Sequence, residues 1–293
     1  MGNDTWFPPI SEAYTGFLLD CQARRLTPAT LGYYEHRLGT FVKSCGDLTI
    51  EQITPTYIRS YLAQMSVAGQ SGFSVLGAAR AVRCFFNFCL REEWIEKSPM
   101  ARVKMPQVEK REPQVYTPEQ IRTILKACIS ARDKAMILFL LDTGLRASEL
   151  LALNVRDVDM GVGTVRVLQG KGQKDRTVYV GATARKALHA YYMTRRRVAP
   201  GDPVWLASTG GKRLLRNGMT QAMRRLSKRT GIHCKAHGFR RTFATQSLRA
   251  GMDIYTLQRL MGHEDITVLK HYVSIAQSDL EAAHKRYGVV DNL

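Results

Sequence analysis

Apolar residues recur every three to four positions through most of the first hundred residues, each stretch opened by helix-start chemistry. Thr27 followed by Pro28, and Thr54 followed by Pro55, pair an N-cap hydroxyl with a first-turn proline. From Pro28 the stripe runs Leu31, Tyr34, Leu38, Phe41 and Val42; from Pro55 it runs Ile58, Tyr61, Leu62 and Met65. A third helix is expected over about 72–91, with Val75, Ala79, Val82, Phe86 and Leu90 along one side. These elements predict a small helical bundle. The pattern then fails over 98–118, where Pro99, Pro106, Pro113 and Pro118 sit among mixed charges, as in an interdomain linker.

Beyond it, Thr117, Pro118 and Gln120 read as N-cap, first-turn proline and capping-box partner of a new helix. An apolar helix through Met136 and Leu141 follows and stops at Gly144. Period-two alternation occurs at 164–168 and 176–180, separated by QGKGQK, which predicts a β-hairpin with lysines at its tip. From about Ala182 onward the pattern is helical again.

Charge changes this picture from two helical segments to a polyanion binder. The 293 residues carry 43 Lys and Arg against 25 Asp and Glu, a formal net charge of +18. Residues 1–110 hold 12 against 10, net +2, and the remaining 183 hold 31 against 15, net +16. The second segment therefore carries the contact, with basic patches at Arg195, Arg196 and Arg197 and at Arg224, Arg225, Lys228 and Arg229. No window approaches the roughly 18 consecutive apolar residues of a membrane span, and the N-terminus lacks the basic start and apolar core of a signal peptide. An intracellular, cytoplasmic protein without a membrane partner is expected. The six cysteines show neither a CxxC pair nor zinc spacing, and read as reduced, mostly core-filling thiols.

Candidate chemistry gathers at four places. Arg146 follows the Gly144 break in TGLRASEL, and Lys171 stands between two glycines in the hairpin tip, without the GxxxxGK[ST] pattern of a P-loop. His237 and Arg240 stand three apart in HGFR, on one side of a helical turn. In LMGHEDITVLKHYV, Gly262 ends one helix and Asp265 caps the next, whose stripe is Ile266, Leu269, Val273 and Ala276. Tyr272 falls roughly 40° beyond the edge of that stripe, so its ring can be half buried while its hydroxyl reaches a cleft. Each feature alone has a bland reading, as surface arginine, solvated turn or core histidine.

Together and in chain order, Arg146, Lys171, His237, Arg240, His263 and Tyr272 resemble the signature of the tyrosine recombinases, or phage-type integrases. The local contexts match as well: an arginine after a TGLR box, a lysine in a hairpin, an HxxR box, and a GH followed nine residues later by tyrosine. Gly238 and Phe239 inside HGFR depart from the family, where Leu commonly precedes the arginine. The resemblance covers the whole chain. It implies a mainly α fold with a small antiparallel β-sheet: a helical core-binding domain over 1–105, a linker over 106–116, and a mixed α/β catalytic domain with a C-terminal tail over 117–293. It further implies a site-specific DNA recombinase acting on double-stranded DNA as a homo-tetramer on paired sites, with no cofactor and no metal. From the short N-terminus, no additional arm-site domain is expected, which resembles the compact recombinases of chromosome dimer resolution, integrons and simple mobile elements. The wording of HGFRRTFAT and GHEDITVLKHY is closer to a mobile-element integrase than to a Xer-like resolvase.

The chemistry of these residues suits that reaction. Breaking a phosphodiester requires charge stabilisation on the non-bridging oxygens, an activated nucleophile and a proton for the leaving alkoxide. Arg146 and Arg240 are the guanidinium pair, Tyr272 the nucleophile that becomes a 3′-phosphotyrosyl, and Lys171 the acid for the 5′ oxygen. His237 is the candidate acid or base on the tyrosine, and His263 a donor to the phosphate or a positioner of Tyr272. Glu149, three after Arg146, reads as a brace for an active-site side chain, and Asp157 and Asp159 as turn residues rather than metal ligands. The alternatives are a type IB topoisomerase-like enzyme, which relaxes DNA without pairing sites, and a non-catalytic DNA-binding regulator. Tail residues Leu280, Ala282, Ala283, Tyr287, Val289 and Val290 are amphipathic enough to dock on a neighbouring protomer or on their own chain.

Overall fold

The computed structural model describes residues 7–108, 114–168 and 175–262. The chain divides into two compact units, residues 1–111 and 112–293.

The first unit is built from α1 (Ile10–Ala23), α2 (Pro28–Cys45), α3 (Pro55–Val67) and α4 (Gly72–Arg91). Thr27 and Thr54 cap α2 and α3 by accepting from the backbone N–H three residues on, and Ser71 caps α4 in the same way. Helix α4 packs against all three others. Its length and mean hydropathy of 1.3 would suit a membrane span, yet Val75, Ala79, Val82, Phe85, Phe86 and Cys89 are buried in this core. Edge-to-face rings extend the core, with Phe17 against Phe85 and Phe88, and Phe41 against Tyr61 and Phe86. Two details differ from the sequence expectation. Helix α1 carries no side-chain cap at Pro9, so its start gave no signal, although Ile10, Ala13, Phe17 and Cys21 keep a helical spacing. Leu90 is 40% exposed, and Phe85, Phe88 and Cys89 fill the end of the stripe instead.

The second unit contains α5 (Pro118–Lys126), α6 (Ala131–Thr143), α7 (Ala147–Ala152), β1 (Thr164–Val167), β2 (Arg176–Tyr179), α8 (Ala182–Tyr192), α9 (Arg216–Thr230), α10 (Ala236–Arg249) and α11 (Ile254–Met261). Helix α6 packs against both α8 and α10, and β2 touches α6 and α11. The strands pair antiparallel with Val165 opposite Val178 and Val167 opposite Arg176. Val165, Val167 and Val178 point into the core, as the period-two pattern requires. The capping box of Thr117 and Gln120 is formed on α5. Tyr116, at the end of the stretch expected to be linker, is fully buried in this unit.

The stretch after α8 is not continuously helical as expected. Residues 193–215 are irregular and are tied down by isolated bridges, Asn154 to Pro203 and Leu206 to Arg213. Arg195 is also not a surface cation: its side chain is 5% exposed, pairs with Asp202 at 3.6 Å and donates to the Pro203 carbonyl. A long side chain in a loop folds under it when carbonyls there need donors, which periodicity cannot foretell.

The turn that delivers the candidate site depends on Gly144. It ends α6 in the left-handed region at φ 60°, and a Cβ there would overlap the Phe243 ring. Gly144→Ala is expected to destabilise the second unit by about 2–5 kcal/mol, from the left-handed backbone together with the overlap. Urea unfolding of the full chain reads it; a loss under about 0.5 kcal/mol, the usual scatter of surface changes, would show that the turn relaxes at little cost.

Candidate active site

Four elements bring the site together. Arg146 is the N-cap of α7, and its own N–H donates 2.8 Å to Glu149 Oε2, so Glu149 fixes the turn from inside the helix. The Arg146 guanidinium donates to Glu149 Oε1 at 2.7 Å and to the Gly262 carbonyl at 2.7 Å. Its side chain remains 35% exposed. Arg240, on α10, is 2% exposed and donates to the Gly144 carbonyl at 2.5 Å and the Met261 carbonyl at 2.9 Å. Two helix C-termini, those of α6 and α11, thus receive guanidinium groups on their last carbonyls, where the helix dipole is negative.

Glu149 is the centre of this arrangement. Arg176, the first residue of β2, grips both of its oxygens at 3.1 and 2.7 Å, and Arg240 Nη1 lies 3.9 Å from Oε2. Burial alone would push this carboxyl up. The Arg176 hydrogen bonds and the Arg146 N–H overrule it and hold the pKa down at about 2, so the group is a carboxylate under all ordinary conditions.

Arg146, His237 and Arg240 open onto one cavity of about 730 Å³, which α9 also lines with Arg216, Thr220 and Arg224. His237 lies at the surface of α10 with protein on one side. Partial burial, then the nearby Arg241 and Arg240 cations, lower its pKa from the ordinary value, so its imidazole is neutral near pH 7 and can accept a proton. A larger cavity of about 990 Å³ lies elsewhere on the same unit, lined in part by Arg225 and Arg229 of α9. It contains none of the candidate residues, and its Arg132 and Arg195 are already matched to Asp133 and Asp202. Convergence of reactive groups, rather than volume, identifies the smaller one.

Lys171, His263 and Tyr272 lie outside the described residues. So do Asp265, the stripe of Ile266, Leu269, Val273 and Ala276, and the tail from Leu280. Asp157 and Asp159 are engaged in turns, accepting from Asn154 N–H and from Gly161 and Val162 N–H respectively. The departure at Gly238 has a local cause. A Cβ there would meet the Tyr116 hydroxyl at 2.6 Å, while the Tyr116 ring packs at a tilt against Phe239 with centroids 4.7 Å apart and its hydroxyl donates to the His233 carbonyl. Absence of a side chain at 238 seats this ring against α10.

The chain matches the phage integrase family over residues 114–279 and the N-terminal SAM-like domain of phage integrases over 15–93. The chain belongs to the phage integrase family. It is a tyrosine-type site-specific DNA recombinase, as its relatives also indicate. Tyrosine recombinase XerD of Chlorobaculum tepidum is 32% identical over 90% of this chain and 91% of its own. Tyrosine recombinase XerC of Pseudomonas syringae is 30% identical over 92% and 95%. Among solved structures, the Tn1549 transposon integrase bound to transposon right end DNA aligns with a TM-score of 0.75 at 18% identity, over 96% of this chain and all of that one. A lambda integrase dimer on a core site aligns with a TM-score of 0.77 at 17% identity, over 92% and 78%. These two neighbours support the integrase fold.

Sequence reasoning missed Arg176 in this integrase. Its signal was present: at strand period it shares the inward face with Val178, and an inward arginine demands an acidic partner. The sequence does not say that the partner is Glu149, 27 residues earlier.

Proposed function

We propose that this recombinase cuts and rejoins duplex DNA at a specific site through a 3′-phosphotyrosyl intermediate carried by Tyr272. The observation that carries the reading is the convergence of Arg146, His237 and Arg240 on one open, basic cavity. A phosphodiester seated there meets two guanidiniums through its non-bridging oxygens. Tyr272 gives its proton to a base, for which neutral His237 is suited, and the phenolate attacks phosphorus. The bond to the 5′ oxygen breaks, and Lys171 supplies the proton to that oxygen. The phosphotyrosyl keeps the bond energy, so a 5′ hydroxyl reverses the step without ATP. His263 donates to the phosphate or positions Tyr272.

Two sites with two strands each call for four protomers. The SAM-like unit and the catalytic unit then read one duplex together, with α9 presenting Arg216 and Arg224 along the cavity edge. The XerC and XerD relatives favour a Xer-type resolvase over an element integrase, and action on DNA in the cytoplasm belongs to the same proposal. The test is to mix the protein with DNA fragments, denature, and sequence what remains covalently attached. One recurring site, with exchanged strands when two copies are supplied, is expected. Supercoil relaxation without recombinants would favour a topoisomerase instead.

The acid has its own test. Lys171→Ala should slow cleavage by roughly 10²- to 10⁴-fold, and a substrate whose 5′-bridging oxygen is replaced by sulfur should recover most of the loss, since a thiolate leaves without a proton. If sulfur gives the variant no advantage, another group is the acid.

A further inference from the structure

Three arginines converge on the same few atoms. Three consecutive carbonyls at the end of α11, those of Leu260, Met261 and Gly262, accept from Arg176 Nε at 2.9 Å, Arg240 Nη2 at 2.9 Å and Arg146 Nη2 at 2.7 Å respectively. The same three guanidiniums surround the Glu149 carboxylate. Arg146 and Arg240 open onto the cavity, whereas Arg176 is not among its lining residues. Arg176 is 10% exposed, and among the described residues it reaches the cavity through Glu149 and α11.

Charge explains why a third arginine stands behind the other two. A phosphodiester carries one negative charge and gains a second as the nucleophile adds. Glu149 with Arg146 and Arg240 alone sums to +1, and with Arg176 to +2, so the third arginine restores the positive charge that Glu149 takes from the pair. Arg176 also occupies both Glu149 oxygens with a planar fork. Without it, those oxygens would turn their full charge on Arg146 and Arg240, the two groups that must meet the phosphate. Lysine would restore the charge but not the fork.

We propose that Arg176 is a positioning residue for phosphodiester cleavage, neutralising Glu149 so that the net positive charge of Arg146 and Arg240 is directed at the phosphate. This rests on the reading of Arg146 and Arg240 as the phosphate grip.

The test uses the full chain and a nicked duplex site that traps the covalent adduct, made with either the natural scissile phosphodiester or a methylphosphonate, which lacks the charged oxygen. Arg176→Gln should form adduct on the phosphodiester about 10²-fold more slowly, comparable to losing one oxyanion donor, with DNA affinity within about threefold. Arg176→Lys should fall between Gln and the parent. On the methylphosphonate the gap between the parent and Arg176→Gln should shrink to under tenfold, because less charge has to be met. An equal deficit on both substrates would mean that Arg176 only supports the fold, and no deficit on either would remove it from the reaction; both overturn the proposal. Should Arg176→Gln fail to fold, Arg176→Lys is read by the same ratio of substrates. A parent protein that forms no adduct on the phosphodiester would instead sink the underlying reading of the site.

Discussion

Tyr272→Phe protein is expected to bind its DNA site with unchanged affinity and to leave no covalent adduct on it. The substitution keeps the ring, and with it whatever the ring packs against, and deletes only the attacking oxygen. Binding comes from elsewhere: net +16 over residues 111–293 supplies the phosphate contacts. Chemistry has no substitute, because water held in the cavity would hydrolyse the strand rather than store it on the protein. Loss of a lone nucleophile costs on the order of 10⁴-fold or more, so denaturing gels of the variant should show free DNA only. Filter binding across a salt series should give the same slope as the parent. An adduct of full yield in the variant would mean that another side chain attacks, and the assignment of Tyr272 would fall.

Removing the carboxylate at the centre of the site is expected to cost more stability than any surface change. Glu149→Ala leaves Arg146, Arg176 and Arg240 close to one another, with the largely buried Arg176 deprived of both oxygens it grips. Breaking a buried pair on one side costs about 3–5 kcal/mol, which lowers the melting temperature of a unit this size by roughly 10 °C. The pH dependence carries the same information. The folded-state pKa of about 2 lies below the ordinary 4.5, so the carboxylate's contribution is present above about pH 4.5 and drains away as pH falls toward 2. Integrated over that window it amounts to about 3 kcal/mol. Urea unfolding from pH 6 to pH 2.5 should show the stability gap between the parent and Glu149→Gln closing as acid is added. A gap constant with pH would show that Glu149 does not hold its charge against the three arginines.

Much of this protein is determined within a few residues of chain. The hydroxyl caps at Thr27, Thr54 and Thr117 were legible because each acts on a backbone N–H three residues away. Gly144 was legible as a stop because only glycine takes its left-handed backbone freely. The paired valines of the hairpin follow from a period of two. The reactive residue types were legible too, because phosphodiester chemistry needs few of them and their order along the chain is distinctive.

Partner choice is a different matter, because it is settled only when distant segments close on one another. Nothing local marks Arg195 as buried or Arg240 as a ligand of the α6 and α11 termini, 96 and 21 residues away. Helix α1 lacks a cap and shows itself only by the core it joins. Gly238 reads as an anomaly until the Tyr116 ring, more than a hundred residues earlier, is found against it. The sequence by itself determined the capped helices, the hairpin strands and the inventory of charges, since caps, turns and periodicity act at short range, but not the start of α1 or the irregular course of 193–215. The Arg146–Glu149 pair is local, three residues apart, but tertiary structure alone decided that Arg176 and Arg240 would share that carboxylate, because in the low dielectric of a closed core it is held by the guanidiniums that packing delivers to it, whatever their distance along the chain.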